Sequence, residues 1–271
     1  MLSAEMKRKK MNKYWAKRRL DESQAFQKTS ETKLLKKLAR EYRRMAEEVS
    51  NELENLYYKI LSESFDGEPL VSHLYQYNRY YETLGSIQNK LIELGMKETD
   101  YFEKSLTDLY KDNGKRIGKQ FNIPFDTTDE QVKDVIYKVW APDEMNWSQR
   151  IWKHEGQLLN RLSSTLIDAV QLGISPDKLT ERIMTDFGVG FYEANRLVVT
   201  ESSYIMNQSC ADAALEAGCD EYEYLGDQDG ACKECAELNG KIFKFKDMQV
   251  GVNCPPAHPR CRCTILPIIK D

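Results

Sequence analysis

The sequence predicts a mainly α-helical protein that closes with a small β module, α+β overall. Three observations lead there. From Ser30 to Leu61 the chain contains neither Gly nor Pro, and its apolar residues recur at helical spacing. After Gly218 the apolar period shortens to two. All seven cysteines fall in the last quarter of the chain. With 271 residues, 41% hydrophobic and 10% aromatic, the sequence has the material for one large or two modest cores. It offers no apolar run approaching the roughly eighteen residues of a bilayer span.

Residues 1–29 read as a basic arm. Between Met1 and Arg44 fifteen basic residues face five acidic ones, although the formal net charge of the whole chain is −4. The cations cluster at Lys7, Arg8, Lys9 and Lys10 and again at Lys17, Arg18 and Arg19. Such an arm can neutralise nucleic-acid phosphates or meet an acidic protein surface, and a solvated helix face is the bland alternative. Tyr14 and Trp15 inside the arm favour docking over solvation.

Residues 30–140 read as a long-helix region. Leu34, Leu38, Tyr42, Met45, Val49, Leu53, Leu56 and Ile60 make one stripe of a long amphipathic helix. Asp66-Gly67-Glu68-Pro69 breaks it. A second helix is expected from about Leu70 to Leu94 with Gly95 as its stop, and a third from Lys97 to Ile117. Tyr75, Tyr77, Tyr80 and Tyr81 are read as helix packing. A linker at Asn122–Thr128 precedes a short helix from Asp129 to Val139, ended by Ala141-Pro142.

Residues 141–217 read as a further helical region. A helix opens near Trp147 and ends at Gly173, carrying Leu158, Leu162, Leu166 and Val170 on one face. Ser175-Pro176-Asp177 caps a short helix. Phe187-Gly188-Val189-Gly190 is expected to form a turn before a longer helix from Phe191 to Glu216, stopped by Gly218. His154-Glu155 reads as an ordinary surface pair.

Residues 218–271 read as a three-stranded module, with strands near Tyr222–Leu225, Lys241–Phe245 and Thr264–Ile268 and a turn at Asn239-Gly240. Its cysteines have the spacing of a zinc site. Cys232 and Cys235 form a C-x-x-C knuckle, and His258, Cys261 and Cys263 supply a second cluster about two dozen residues later. Two thiolates on a tight turn reach one ion, and the later cluster completes a tetrahedron. Three donors compete for the two remaining positions. Cys254 is a weaker candidate, and Cys210 and Cys219 read as packing residues. A disulfide framework needs an oxidising compartment, and the basic start has no apolar core of secretory length. The expected cofactor is therefore structural Zn2+, bound in a compartment that keeps thiols reduced.

Catalytic options are narrow. The chain has three histidines, His73, His154 and His258, and lacks His-Glu-x-x-His and Gly-x-Ser-x-Gly motifs. A hydrolytic zinc keeps an open position, whereas a set of Cys and His donors this large is more readily closed. Asp227 and Asp229 read as turn chemistry.

The stretch Arg196-Leu-Val-Val-Thr200-Glu201-Ser202, the knuckle at Cys235, the turn Asn239-Gly240-Lys241-Ile-Phe243 and the run from Gly251 to Thr264 resemble the phage minor head proteins, the Mu F-like head morphogenesis family. The resemblance is strongest from about Trp147 to Pro267, so residues 141–217 become the helical part of that domain. It implies a low-copy virion component without enzymatic turnover, made in the bacterial host cytoplasm and enclosed in the capsid near the portal vertex. It would act in head assembly, DNA packaging or DNA ejection. The implied partners are the portal protein, a scaffold or major capsid protein, and genomic DNA. Many members place Arg-Thr directly before the first cysteine, where this chain has Gly230-Ala231. Two other classes compete. An injected effector or zinc-dependent nuclease would need a further catalytic domain, and a zinc-finger regulator would need a recognition helix after the knuckle.

Overall fold

A computed structural model describes residues 4–62, 78–226 and 232–268, with the backbone alone for residues 4–13 and Trp15. His73, Tyr75, Tyr77, the break at Asp66–Pro69, Asp227, Asp229 and Gly230-Ala231 lie outside the described residues. The helices are α1 (Ala4–Ser62), α2 (Arg79–Phe121), α3 (Asp129–Ile136), α4 (Trp147–Gln171), α5 (Pro176–Glu216) and the short α6 (Lys233–Leu238). Three strands follow α5: β1 (Glu221–Leu225), β2 (Ile242–Lys244) and β3 (Thr264–Ile268). The fold class is as the sequence predicts, helical with a small antiparallel sheet at its C-terminal end.

Three helices run further than their sequence signals suggested. Helix α1 starts at Ala4 rather than near Ser30, because its basic first part contains no breaker. Helix α2 passes straight through Gly95. The ring of Trp152 lies 2.8 Å from where a Cβ on Gly95 would stand, so this glycine serves close helix contact, not termination. Helix α5 likewise continues through Phe187–Gly190. A Cβ on Gly190 would meet Tyr42 Cε1 at 3.0 Å, again a close-approach glycine. Genuine stops occur at Gly173 and Gly218, which have φ of 59° and 78°. At Gly218 the Cys219 N–H donates to Ala214 C=O at 2.9 Å, completing the helix end.

Two compact units divide these elements. One comprises Leu35–Tyr101 and Ser148–Asn195. Its four helical segments share a core of residues such as Met45, Leu53, Leu94, Leu158 and Ile183. Inside it stands a polar group that corrects the reading of His154-Glu155: Glu155 is buried. Tyr42 Oη lies 3.0 Å from Glu98 Oε2 and 3.3 Å from Glu155 Oε1. One hydroxyl donates one proton, so the second contact requires a carboxyl O–H donating to the phenol oxygen. Burial accordingly raises Glu98 to about 7, and burial followed by the charge of Glu98 raises Glu155 to about 8. Of the tyrosine cluster, Tyr80 is buried here and bonds Ser163, while Tyr81 is exposed.

The other unit comprises Met1–Leu34, Phe102–Trp147 and Arg196–Asp271. Thr128 caps α3 in a capping box with Gln131, as its position after the linker favours. Trp147 stacks on Phe102 at 5.6 Å and donates its indole N–H to Ile136 C=O. In the sheet, ordered β2-β1-β3, the central strand is antiparallel to both neighbours, with Tyr222 opposite Phe243 and Pro267 and Tyr224 opposite Ile265. Alternation along β1 buries Tyr222 and Tyr224 completely. Pro267 is tolerated because β3 is an edge strand. The outward N–H of Ile265 is met by Asn207 Oδ1 of α5 at 3.0 Å, so that edge is covered by a side chain.

Candidate metal centre

The cysteine layout is assembled by the sheet and by one short helix. Cys232 is the N-cap of α6 and Cys235 its third helical residue, so the C-x-x-C spacing becomes a helix start in which the Cys235 N–H donates to Cys232 Sγ at 3.5 Å. Gly240, at φ 80°, donates its N–H to Tyr224 C=O at 2.8 Å and returns the chain to β2. The later cluster follows Pro255-Pro256. Arg260 adopts φ 63° in a turn closed by Cys261 N–H to His258 C=O at 3.1 Å, which sends the chain back toward β3. Thr200 of α5 holds the turn by accepting from the Arg260 N–H at 3.0 Å.

These turns bring the five predicted donors into two overlapping groups. Cys232, Cys235 and His258 form one, and Cys235, Cys261 and Cys263 the other; within each, all ligand atoms lie within 4.8 Å of one another. Cys235 belongs to both, and its Sγ is 3.9 Å from that of Cys261. Cys235, Cys261 and Cys263 are buried, while Cys232 and His258 are half-buried. His258 Nδ1 is 2.9 Å from Pro259 C=O. A carbonyl only accepts, so Nδ1 carries the proton and Nε2 keeps its lone pair for a ligand role. Tyr224 Oη donates to Cys235 Sγ at 3.4 Å. Hydrogen bonding by Cys263 holds the Cys261 thiol below its ordinary range, against its burial, whereas burial pushes Cys235 up. Soft sulfur and imidazole donors at this spacing fit a tetrahedral metal ion.

The remaining cysteines stand apart from both groups. Cys254 is buried beside Pro255 C=O, and Cys210 is buried with its Sγ 3.9 Å from Ile265 C=O. In the basic arm, Lys17 and Arg18 are exposed, and Arg18 pairs with Glu22 at 2.9 Å. Arg19 is half-buried and donates to Gln120. Lys7, Arg8, Lys9 and Lys10 lie on α1, and their side chains are outside the described residues. Sequence reasoning missed the groups that support the cluster: Tyr224, Thr200, Asn207, and above all Arg262, which is bonded to Glu31. The signal for Arg262 was its place between two candidate ligands.

A long helical scaffold bearing a cysteine-rich β module is the class of protein that this fold and cluster define. Residues 160–266, which include every cysteine, match the family described as Phage Mu protein F like protein. Over that stretch the chain is similar to the Mu F-like family, in line with the motifs around Thr200, Cys235 and Cys261. No curated protein and no solved structure matches it. Among the described residues no helix is long and apolar enough to cross a membrane.

Proposed function

We propose that this protein is a minor structural component of a phage head, present in few copies and associated with the portal on the capsid interior. It acts in head assembly, DNA packaging or DNA ejection, and it turns over no substrate. The observation that carries this reading is the Mu F-like match over residues 160–266, which contains the whole donor cluster. The proposed partners are the portal protein first, then scaffold or major capsid protein and genomic DNA. Synthesis in the host cytoplasm suits a site built from reduced thiols.

In this reading the metal is structural Zn2+. Cys235, shared by both donor groups, is its central ligand, joined by Cys232, His258 and Cys261, with Cys263 as the competing donor. When bound, the ion supplies a cross-link between the start of α6 and the Cys261 turn. The protein contributes the placing of the ligands: Tyr224 orients the Cys235 sulfur, and the His258 contact with Pro259 fixes the imidazole tautomer. Both groups are made of Cys and His, with no carboxylate poised as a base among their members, which supports a closed rather than a hydrolytic site.

The test is mass spectrometry of purified, nuclease-treated phage particles, quantifying this chain against the portal subunit. A low, constant ratio in DNA-filled heads is expected. Its absence from particles while abundant in infected cells would refute the virion assignment and direct attention to an effector role.

A further inference from the structure

The extended segment Cys261-Arg262-Cys263 faces two ways. Alternation turns the two sulfurs to the interior and Arg262 to the opposite side, where helix α1 passes. There Arg262 Nη1 donates to both carboxylate oxygens of Glu31, at 2.9 and 2.8 Å, and Glu31 is only 3% exposed. The contact is one of a series. Gln24 Nε2 donates to Arg262 C=O at 3.2 Å, and Ser23 Oγ lies 3.3 Å from Thr264 Oγ1. Gln27 Nε2 donates to Glu31 Oε1 at 2.8 Å and to Val199 C=O of α5 at 3.4 Å. Ser23, Gln27 and Glu31 are spaced i, i+4, i+8, so they form one polar stripe on α1, and all three are buried. On the other side of the segment, Asn207 of α5 donates to Cys263 C=O at 3.3 Å.

We infer that Arg262 is a positioning residue that couples the metal centre to α1. Metal occupancy fixes the register of the 261–263 segment and hence the docking of the Ser23–Glu31 stripe. The docked stripe in turn holds Cys261 and Cys263 in place. The basic cluster Lys17–Arg19 lies one helical turn before Ser23, about 6 Å along the axis, so its direction is set by the same contact. Loading of the metal thereby governs how the cationic arm is presented. The inference rests on the metal reading given above and adds to it a specific transmission route. Two physical facts make the route effective. A buried carboxylate that loses its cationic partner is strongly unfavourable, so Glu31 does not stay docked when Arg262 moves away. Coupling between two binding equilibria is also reciprocal, so whatever metal gives to α1 docking, α1 docking returns to metal affinity.

The experiment uses the full chain, loaded with one equivalent of zinc or stripped with a chelator, and follows amide hydrogen exchange. Peptides covering residues 17–34 report the arm, and peptides covering 148–170 serve as the control. Chelation should speed exchange in 17–34 and leave the control unchanged. Arg262→Gln should still bind zinc, with affinity about ten- to a hundredfold weaker by competition with a chromophoric chelator, and should show fast exchange in 17–34 even when loaded. Glu31→Gln should behave alike, and Arg262→Lys should fall between. Unchanged exchange in 17–34 on chelation, or wild-type zinc affinity in Arg262→Gln, would overturn the coupling. Failure of the wild-type chain to bind zinc would overturn the metal reading itself. If Arg262→Gln does not fold, the chelation experiment on the unaltered chain decides.

Discussion

Raising the pH from 6 to 9 should destabilise the unit built around Tyr42, Glu98 and Glu155. In the folded chain Glu98 titrates at about 7 and Glu155 at about 8, against an ordinary value near 4.5. Below about pH 4.5 both carboxyls are protonated, folded or unfolded, and stability is insensitive to them. Between there and pH 8 the unfolded chain has released protons that the folded chain retains, so stability falls as pH rises. Above pH 8 the full penalty is present and the dependence flattens. For Glu98 alone the full difference corresponds to about 3 kcal/mol, of which about 1.4 kcal/mol falls between pH 6 and its titration at about 7. Glu155 adds to this, but not independently, since part of its shift is the charge of Glu98. Helix α4 also brings Arg161, whose charge favours ionised Glu155 and limits the rise, and α5 presents the Phe191 ring edge-on to Tyr42. A loss of about 1.4 kcal/mol moves a urea midpoint by roughly 0.5–1.4 M, and Glu155 increases the shift. Circular dichroism at 222 nm across urea series at pH 6, 7, 8 and 9 measures it. The double variant Glu98→Gln with Glu155→Gln supplies the reference, because it removes both titrations and leaves the metal centre intact. Zinc binding tightens as pH rises, so the metal works in the opposite direction and cannot mimic the effect. A midpoint that is constant or rising from pH 6 to 9, or an equal fall in the double variant, would refute the reasoning.

Cys235→Ser should abolish stoichiometric zinc and, at free zinc a thousandfold above Kd, cost about 4 kcal/mol of apparent stability, measured by metal analysis and thermal melts. Cys210→Ala should keep its zinc and cost about 1–2 kcal/mol, the loss of one small buried side chain. Gly114→Ala should lower stability by about 1–3 kcal/mol in urea melts despite its better helix propensity, because the new methyl would stand 2.0 Å from the buried ring of Phe125. If the arm binds DNA, Lys17→Ala with Arg18→Ala should lessen the slope of log affinity against log salt by about 2 in fluorescence anisotropy, and a salt-independent affinity would reject the phosphate contact.

Periodicity made the helices legible, and the cysteine spacing made the donor cluster legible, because both are written in local sequence. Glycine was the misleading residue. Gly95, Gly188 and Gly190 look like punctuation in a single sequence, yet they sit inside α2 and α5, and for Gly95 and Gly190 the reason is a ring from another helix pressing where a Cβ would be. That information belongs to packing and has no local signature. The burial of Glu155 was hidden for the same cause. A Glu beside a His on an amphipathic helix reads as surface, and only the approach of Tyr42 and Glu98 from two other helices reveals a shared polar core. The stripe of Ser23, Gln27 and Glu31 is a similar case: polar residues at helical spacing read as solvated, and here they are an interface.

The dependence of the β module on its surroundings explains why it joins a donor cluster to a polar seam. Three strands of five, three and five residues bury too little apolar surface to stand alone. Its central strand contributes Tyr222 and Tyr224, and much of the remaining interior is sulfur: Cys235, Cys261 and Cys263 pack with Tyr224 as one cluster. Thiols are small hydrophobes that bury little apolar surface each, so a metal shared by these sulfurs, as proposed above, would add rigidity that their packing alone does not supply. The segment that carries Cys261 and Cys263 into β3 is also held by Asn207, Thr200 and the Glu31–Arg262 pair, all directional contacts. Directional contacts fix a position without adding much net stability. Under the metal reading proposed above, the ion would supply much of the energy of the module and the polar seam its orientation, a division under which the first should be lost on chelation and the second on substitution of Arg262.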